Sequence, residues 1–184
     1  MADFEMHDFK AMINIGQVGT GTLEGRITDL RVEEDDGTGF KENSVIRDDS
    51  TWRIVLEWEL AGSALDPDIL ALKGAWIVKA YLEGFGRDAD ELDFSGDPNG
   101  ILLMDHKPDV DNLGNDILPE LSRTNSGETA WLYRDTITIN PKTVHEGAYK
   151  LAVAVTYVKE DMVTPGPMAG FVELENMVQI YKAK

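Results

Sequence analysis

Residues 109–120 carry the clearest spacing of oxygen ligands for a metal ion in this sequence. Carboxylate or amide side chains stand at positions 1, 3, 7 and 12 of the segment, and Gly114 stands at position 6, as in a calcium-binding loop. Leu113 occupies a position where a further oxygen ligand is expected, and neither flank has a helical pattern. A solubilising acidic loop is the alternative interpretation. The predicted calcium ligands are Asp109, Asp111, Asn115 and Glu120.

Trp131 is the tryptophan whose position favours contact with a ligand. It begins a predicted strand after the loop 123–128, so we expect it near a rim, where an indole ring can stack on a sugar. A second acidic loop, with Asp88, Asp90, Glu91 and Asp93, precedes the calcium-like segment. These 88–120 loops and Trp131 together suggest a carbohydrate- or ligand-binding module, possible with or without calcium.

Motifs for covalent catalysis are missing from the sequence. The chain has no cysteine, which excludes disulfides, thiolate nucleophiles and cysteine-based metal sites. His145-Glu146 begins like a metalloprotease helix, but Tyr149 stands where the second histidine belongs. No serine has glycines two residues away on both sides, as a hydrolase elbow requires. We therefore expect no catalytic residue, no cofactor and no enzyme, although a pair of carboxylates keeps acid–base chemistry open as a third hypothesis.

The charge balance of the chain limits the partners that it can have. Lys and Arg number 17 against 34 Asp and Glu, so the net charge is −17 and the chain repels phosphate backbones and anionic lipids. We expect neither nucleic acid nor a membrane as a partner. The acidic start, residues 1–8, lacks the basic and apolar parts of a secretory signal, and no apolar run is long enough to span a bilayer. The expected location is cytoplasmic, and export by a dedicated machine stays open.

Alternation of apolar and polar residues predicts β-strands along most of the chain. The pattern is clearest over residues 51–60, 76–85 and 149–157, where every second side chain is apolar and is expected to face the core. Gly, Pro and Asp turns separate these segments, and no long helical period intervenes. We predict an all-β, antiparallel two-sheet sandwich of about seven strands over residues 23–184. Residues 1–22 are predicted to form an N-terminal arm or short helix, and the acidic run 33–36 a solvated turn.

Glu146-Gly147-Ala148-Tyr149-Lys150-Leu151 resembles the start of strand F in immunoglobulin-like domains. In that family a tyrosine lies two residues before an inward position, which Leu151 occupies in this sequence. Trp76 would match the buried tryptophan of strand C, and Leu56 or Trp58 the core position of strand B. The resemblance implies an immunoglobulin-like fold over roughly residues 50–184, and it implies no particular function.

The function that these observations favour is a structural or interaction subunit without catalysis. Such a sandwich would bind protein, as a homo-oligomer or in a larger assembly, through its N-terminal arm or through exposed strand edges. The alternative function is the ligand-binding module described above.

Overall fold

The structure is a computed structural model in which every described element is a β-strand. It describes the backbone of residues 8–14, 20–61, 75–85, 92–93, 101–104, 109–110, 116–117, 120–123, 129–158 and 165–183. It describes the side chains of residues 25–59, 76–85, 133–157 and 169–183. The prediction of an all-β chain is confirmed.

Two sheets contain almost all of the described strands. The first, sheet one, has the order β1 (Asp8–Asn14), β2 (Thr20–Asp35), β5 (Trp52–Ala61), β12 (Thr129–Ile139) and β11 (Glu120–Arg123), with β3 (Phe40–Glu42) also paired to β2. All of its neighbouring strands are antiparallel.

The second sheet, sheet two, has the order β4 (Val45–Arg47), β15 (Val178–Tyr181), β13 (Gly147–Val158), β6 (Ala75–Phe85) and β7 (Leu92–Asp93). In addition, β14 (Pro165–Glu173) pairs with β13, and β8 (Ile101–Met104) pairs with β6. The β4–β15 pair is parallel, and the other pairs are antiparallel. A separate two-stranded ribbon joins β9 (Asp109–Val110) to β10 (Asp116–Ile117). The prediction of about seven strands omits the short strands at the edges of both sheets.

The alternating residues that predict the strands form the core between the sheets. Trp58 from sheet one and Trp76 and Leu151 from sheet two are at most 1% exposed. One continuous apolar cluster contains residues of both sheets, which is the arrangement of a two-sheet sandwich. The inward positions expected for Trp52, Trp58, Trp76, Tyr149, Leu151 and Val153 are all buried.

An aromatic cluster joins the two sheets inside this core. Trp58 stacks on Tyr133 of sheet one, with ring centroids 5.3 Å apart and planes 9° apart. Trp76 of sheet two meets Trp58 edge-on at 5.7 Å and also meets Tyr157 edge-on at 5.4 Å. Offset and edge-on contacts are favourable because the positive edge of one ring lies against the negative face of another. The cluster therefore fixes the spacing between the sheets at this position.

Three local expectations differ from the structure. Of the predicted arm, residues 8–14 form strand β1 and residues 20–22 begin β2, and neither part is a helix, because their backbone groups pair between these two strands. Glu33 and Glu34 lie in β2 and are buried, so the solvated turn begins only after Asp35. There Gly37 and Gly39 adopt positive φ angles of 87° and 133°. Residues 171–181, which the sequence predicts to form one last strand, are divided between β14 and β15.

The buried carboxylate of Glu34 fixes the segment 43–50, which connects β3 of sheet one to β5 and contains β4 of sheet two. Its oxygens accept hydrogen bonds from the Ser50 hydroxyl at 2.5 Å, the Arg47 amide at 2.9 Å and the Asn43 side-chain amide at 2.8 Å. Arg47 belongs to β4, at the edge of sheet two, whereas Glu34 belongs to sheet one. This carboxylate therefore connects the sheets at one edge, which explains why an acidic residue is buried there.

Tyr149 supplies a second buried polar connection, and its removal is a direct test of the fold. The ring is fully buried, and the hydroxyl donates a hydrogen bond of 2.9 Å to the His145 carbonyl oxygen. We expect Tyr149→Phe to lower the free energy of unfolding by about 1 kcal/mol, because one buried hydrogen bond is lost without a change in packing. Urea denaturation measures the change.

Tyr181→Phe is the matched control, since the Tyr181 side chain is exposed on β15. An equal loss of stability in both variants would contradict a specific role for the Tyr149 hydroxyl.

Candidate interaction surface

The outward side chains of sheet one form a network of opposite charges, which we call the ion-paired face. Arginines and acids alternate between neighbouring strands, so that each charge lies beside an opposite one. The pairs are Arg26 with Glu59, Arg31 with Asp29, Glu33 and Glu57, Arg53 with Glu33, and Arg134 with Glu57. Val55 lies opposite Arg31 and Thr136 in the strand register and is only 2% exposed. The network thus covers apolar surface while it presents charge to water.

Glu33 is the most enclosed acid of the ion-paired face. Its two oxygens accept hydrogen bonds from Arg31 Nε at 2.7 Å and Arg53 Nε at 2.6 Å. Burial by itself raises the pKa of Glu33, but these hydrogen bonds and the two positive charges outweigh it and lower the pKa below its ordinary value. The guanidinium of Arg53 also lies 4.1 Å from the centre of the Phe40 ring, which orders it further.

The outward side chains of sheet two are different in kind. Every large hydrophobic residue that is exposed among the described side chains lies on a strand of this sheet or directly before one. We call this surface the apolar face. Its large residues, between 37% and 46% exposed, are Val45, Tyr81, Phe85, Phe171, Met177 and Tyr181. Scattered apolar residues are normal on a surface. Among the described side chains, however, the large exposed ones are confined to one sheet, which marks this face as a candidate for contact with another protein.

The centre of the apolar face is flat because its middle strand carries alanines. The outward positions of β13 include Ala148, Ala152 and Ala154, which lie opposite Phe85, Tyr81 and Lys79 of β6. On the other side of β13, Ala154 lies opposite Phe171. Larger aromatic rings therefore flank a strip of small side chains. A shallow surface of this kind can accept another flat protein surface.

Opposite charges on the apolar face nearly balance each other. Lys79 and Glu83 lie on β6, two residues to either side of Tyr81, and both are exposed. Lys150 of β13 forms an ion pair with Glu173 of β14. With the exposed Arg47 of β4, which lies opposite Tyr181, the described side chains of this face carry three positive and two negative charges, whereas the whole chain carries −17. The face therefore lacks the acid excess that makes two copies of the chain repel each other.

The sequence-predicted site residues lie elsewhere. Asp109 is in β9 and Glu120 in β11, while Asp111 and Asn115 fall outside the described residues. Trp131 lies in β12, paired with Leu60 of β5 and Leu121 of β11, and its side chain is not among those described. None of these side chains is among those that the structure describes. The calcium site and the stacking role of Trp131 stay predictions.

The described part of the protein is thus an all-β, two-sheet structure whose outer faces differ in character. Comparison with protein-family models, with curated proteins and with solved structures finds no match to this chain. In the part of the chain that the structure describes, no three His, Asp or Glu side chains are grouped so as to hold a metal ion. Nor does any helix among the described residues have the length and apolar character to cross a membrane.

None of the catalytic or metal-binding motifs considered in the sequence indicates the apolar face. A signal for it is present in the sequence, because β13 has alanine at outward positions where a half-exposed strand normally has polar residues. Alternation locates the inward residues of each strand separately. The strand register is needed to bring Tyr81, Ala152 and Phe171 onto one surface.

The lowered pKa of Glu33 predicts a pH-dependent contribution to stability. A carboxylate whose pKa is lower in the folded state stabilises the fold above its unfolded pKa, and this contribution disappears as the pH falls through the folded pKa. We expect Glu33→Gln to lower the free energy of unfolding by roughly 1 to 2 kcal/mol at neutral pH. The difference from wild type should shrink as the pH falls below about 4.5. Urea denaturation over a pH series measures it.

Glu175→Gln is the control for this change, because Glu175 is exposed in the turn between β14 and β15. A pH-independent difference between wild type and Glu33→Gln would contradict the ionic origin of the effect.

Calcium binding by the 109–120 loop predicts a shift of the thermal melting temperature. A cation that binds only the folded chain must raise this temperature, and a chelator must reverse the change. Asp111→Asn should reduce the shift because it removes a charged ligand at the third loop position. Differential scanning calorimetry with calcium and with EDTA tests this. Equal melting temperatures in both conditions would remove the calcium interpretation.

Proposed function

We propose that this chain is a non-enzymatic structural or interaction subunit of the cytoplasm. It associates with itself or with a larger assembly through its N-terminal arm or its strand edges. Its partners are proteins rather than nucleic acid or membranes, because the net charge of −17 opposes binding to polyanions.

The position of β1 is the observation that carries this proposal. Among the described strands, Asp8–Asn14 is the outermost in the hydrogen-bonded order of sheet one, where β2 is its neighbour, and it also approaches β14 of sheet two. An outermost strand has a row of backbone N–H and C=O groups on the side away from its neighbour, and such a row can pair with a strand of another chain. The arm thus supports a role in assembly through the geometry of its backbone.

We also propose that the sandwich is immunoglobulin-like. Two observations support this. The order β2-β5-β12-β11 in one sheet, with β6-β13-β14 in the other, parallels the ABED and CFG sheets of that architecture. The Tyr149 hydroxyl also donates to a carbonyl four residues upstream, as the tyrosine at the start of strand F does in that family. On this proposal Trp76 is the strand-C tryptophan, and Leu151 takes the inward position two residues after the tyrosine.

A ligand-binding module is the second candidate function, and one backbone feature favours it. Residues 111–115 connect β9 to β10, which pair antiparallel with Asp109 opposite Ile117. Asp109 and Ile117, at and near the two ends of the predicted calcium loop, are therefore neighbours, as a compact metal-binding loop requires. Trp131 is the residue that we propose for stacking on a carbohydrate in this case.

Single proline substitutions at neighbouring positions of β1 test the assembly function. Successive residues of a strand direct their N–H groups to opposite sides, so of Lys10→Pro and Ala11→Pro one removes a donor facing β2 and the other a donor facing away. We expect one variant to lose stability and the other to keep its melting temperature but lose association. Light scattering across protein concentrations, together with thermal melts, measures both properties.

Each proline variant is the matched control of the other, because both carry the same local rigidity at adjacent positions. Association that is unchanged in both variants would contradict assembly through the β1 edge.

A further inference from the structure

We propose that the apolar face of sheet two binds the apolar face of a second copy of this chain, as a two-fold symmetric dimer. The proposal rests on the proposed function of self-association and gives it a surface and a geometry. The evidence is that a two-fold rotation places residues of opposite charge, and large apolar residues, of the two copies opposite each other.

The desolvation cost of each outer face favours sheet two as the contact. A contact through the ion-paired face of sheet one would have to remove water from at least eight charged side chains, all of which are already paired within the chain. They are Arg26, Asp29, Arg31, Glu33, Arg53, Glu57, Glu59 and Arg134. The apolar face has five described charged side chains, Arg47, Lys79, Glu83, Lys150 and Glu173, around alanines and aromatic rings. Removal of water from these apolar side chains is favourable. Of the two described faces, the apolar face is therefore the less costly to bury.

A two-fold axis along one row of residues makes the charges complementary. Tyr81 of β6, Ala152 of β13 and Glu173 of β14 form this row across the strands. Lys79 and Glu83 lie at equal distances on either side of it, because each is two residues from Tyr81 along the same face. Rotation by 180° about the row exchanges their positions. Each lysine of one copy then faces the glutamate of its partner, and the contact occurs twice.

The same rotation also matches the large apolar residues. Phe171 lies at the level of Ala154 and Lys79, on one side of the axis. Met177 immediately precedes Val178, which pairs with Tyr149, so Met177 lies at the level of Lys150 on the other side. The rotation therefore places Phe171 of one copy over Met177 of its partner.

Further from the axis, the two ends of the face also agree in character. The row of Phe85 and Ala148 is exchanged with the row of Ile77 and Thr156, so that the Phe85 ring comes over Ile77 of the partner copy. Among the outward residues of β6, the rotation places no two like charges opposite each other. Glu173 meets its own copy on the axis, and it is already paired with Lys150 in each chain. Along β6 the face is thus complementary to itself in charge, whereas on the axis Glu173 meets a like charge and Asp93 stands at the register position opposite Tyr81.

The dimensions of the face suit a reversible dimer. From Ile77 to Phe85 the face extends for about 27 Å along β6, and three strand spacings separate β6 from β4, or about 14 Å. Because β14 and β15 share one flank of β13, only two strand spacings, or about 10 Å, are common to both ends, and the flat area that the rotation overlays is roughly 270 Å². It is small for a specific interface between two proteins. We therefore expect a dimer whose population depends on concentration.

A charge exchange within β6 tests the geometry. We expect Lys79→Glu and Glu83→Lys, as single variants, each to weaken dimerisation by about tenfold or more, because two like-charge contacts replace two attractive ones. The double variant restores opposite charges across the interface and should return the dissociation constant to within about threefold of wild type. Sedimentation equilibrium at several concentrations measures these constants.

Controls separate this effect from changes in net charge or folding. Lys142→Glu makes the same change in net charge as Lys79→Glu at an exposed turn between β12 and β13, and it should leave dimerisation within about twofold of wild type. Urea denaturation of each variant shows whether the chain remains folded. Weakening in both single variants without recovery in the double variant would overturn the proposed two-fold geometry.

Two further outcomes distinguish this proposal from the broader function. Association that survives both charge variants but is lost in a β1 proline variant would overturn the apolar-face dimer and leave assembly through the strand edge standing. A wild-type chain that is monomeric at every concentration would overturn the dimer, and self-association with it.

Discussion

Successive side chains of a β-strand point to opposite faces, and this period of two residues governs every feature of the protein. In β6, Trp76, Val78 and Ala80 face the core, while the alternate residues Lys79 and Tyr81 face outward. A strand in this sandwich therefore carries two independent sets of side chains. The inner set determines stability, and the outer set determines what the surface can bind. A shift of one residue in strand register would exchange the two sets.

The inner sets of the two sheets meet in one core whose strongest local feature is the contact of aromatic rings. Trp58 and Tyr133 stack within sheet one, and Trp76 lies edge-on to both of them from sheet two. Because the sheets are joined by these rings and, at another edge, by the carboxylate of Glu34, their outer faces need not contribute to holding them together. The alanines of β13 are consistent with this freedom, since they face outward and add little to the core.

Residues whose environment depends on one strand could be predicted from the sequence, whereas those that depend on two could not. Alternation within a strand is sufficient to predict that Trp52, Trp58, Tyr149 and Leu151 lie inside. Glu33 looked like part of a solvated turn because its partners, Arg31 and Arg53, become neighbours only through the pairing of β2 with β5. Likewise, β1 forms only against β2, so its own residues gave a weak helical pattern instead.

The acid excess and the apolar face have complementary effects on association. A net charge of −17 repels most approaches of one copy to another, which limits non-specific aggregation. Where lysines and glutamates balance, on β6 and between Lys150 and Glu173, this repulsion is locally reduced. Hydrophobic contact alone has no direction, but the charges on either side of Tyr81 allow one orientation and oppose the one that places lysine on lysine. In the proposed dimer, the physical basis of specificity is thus the position of Lys79 and Glu83 on either side of a small apolar strip.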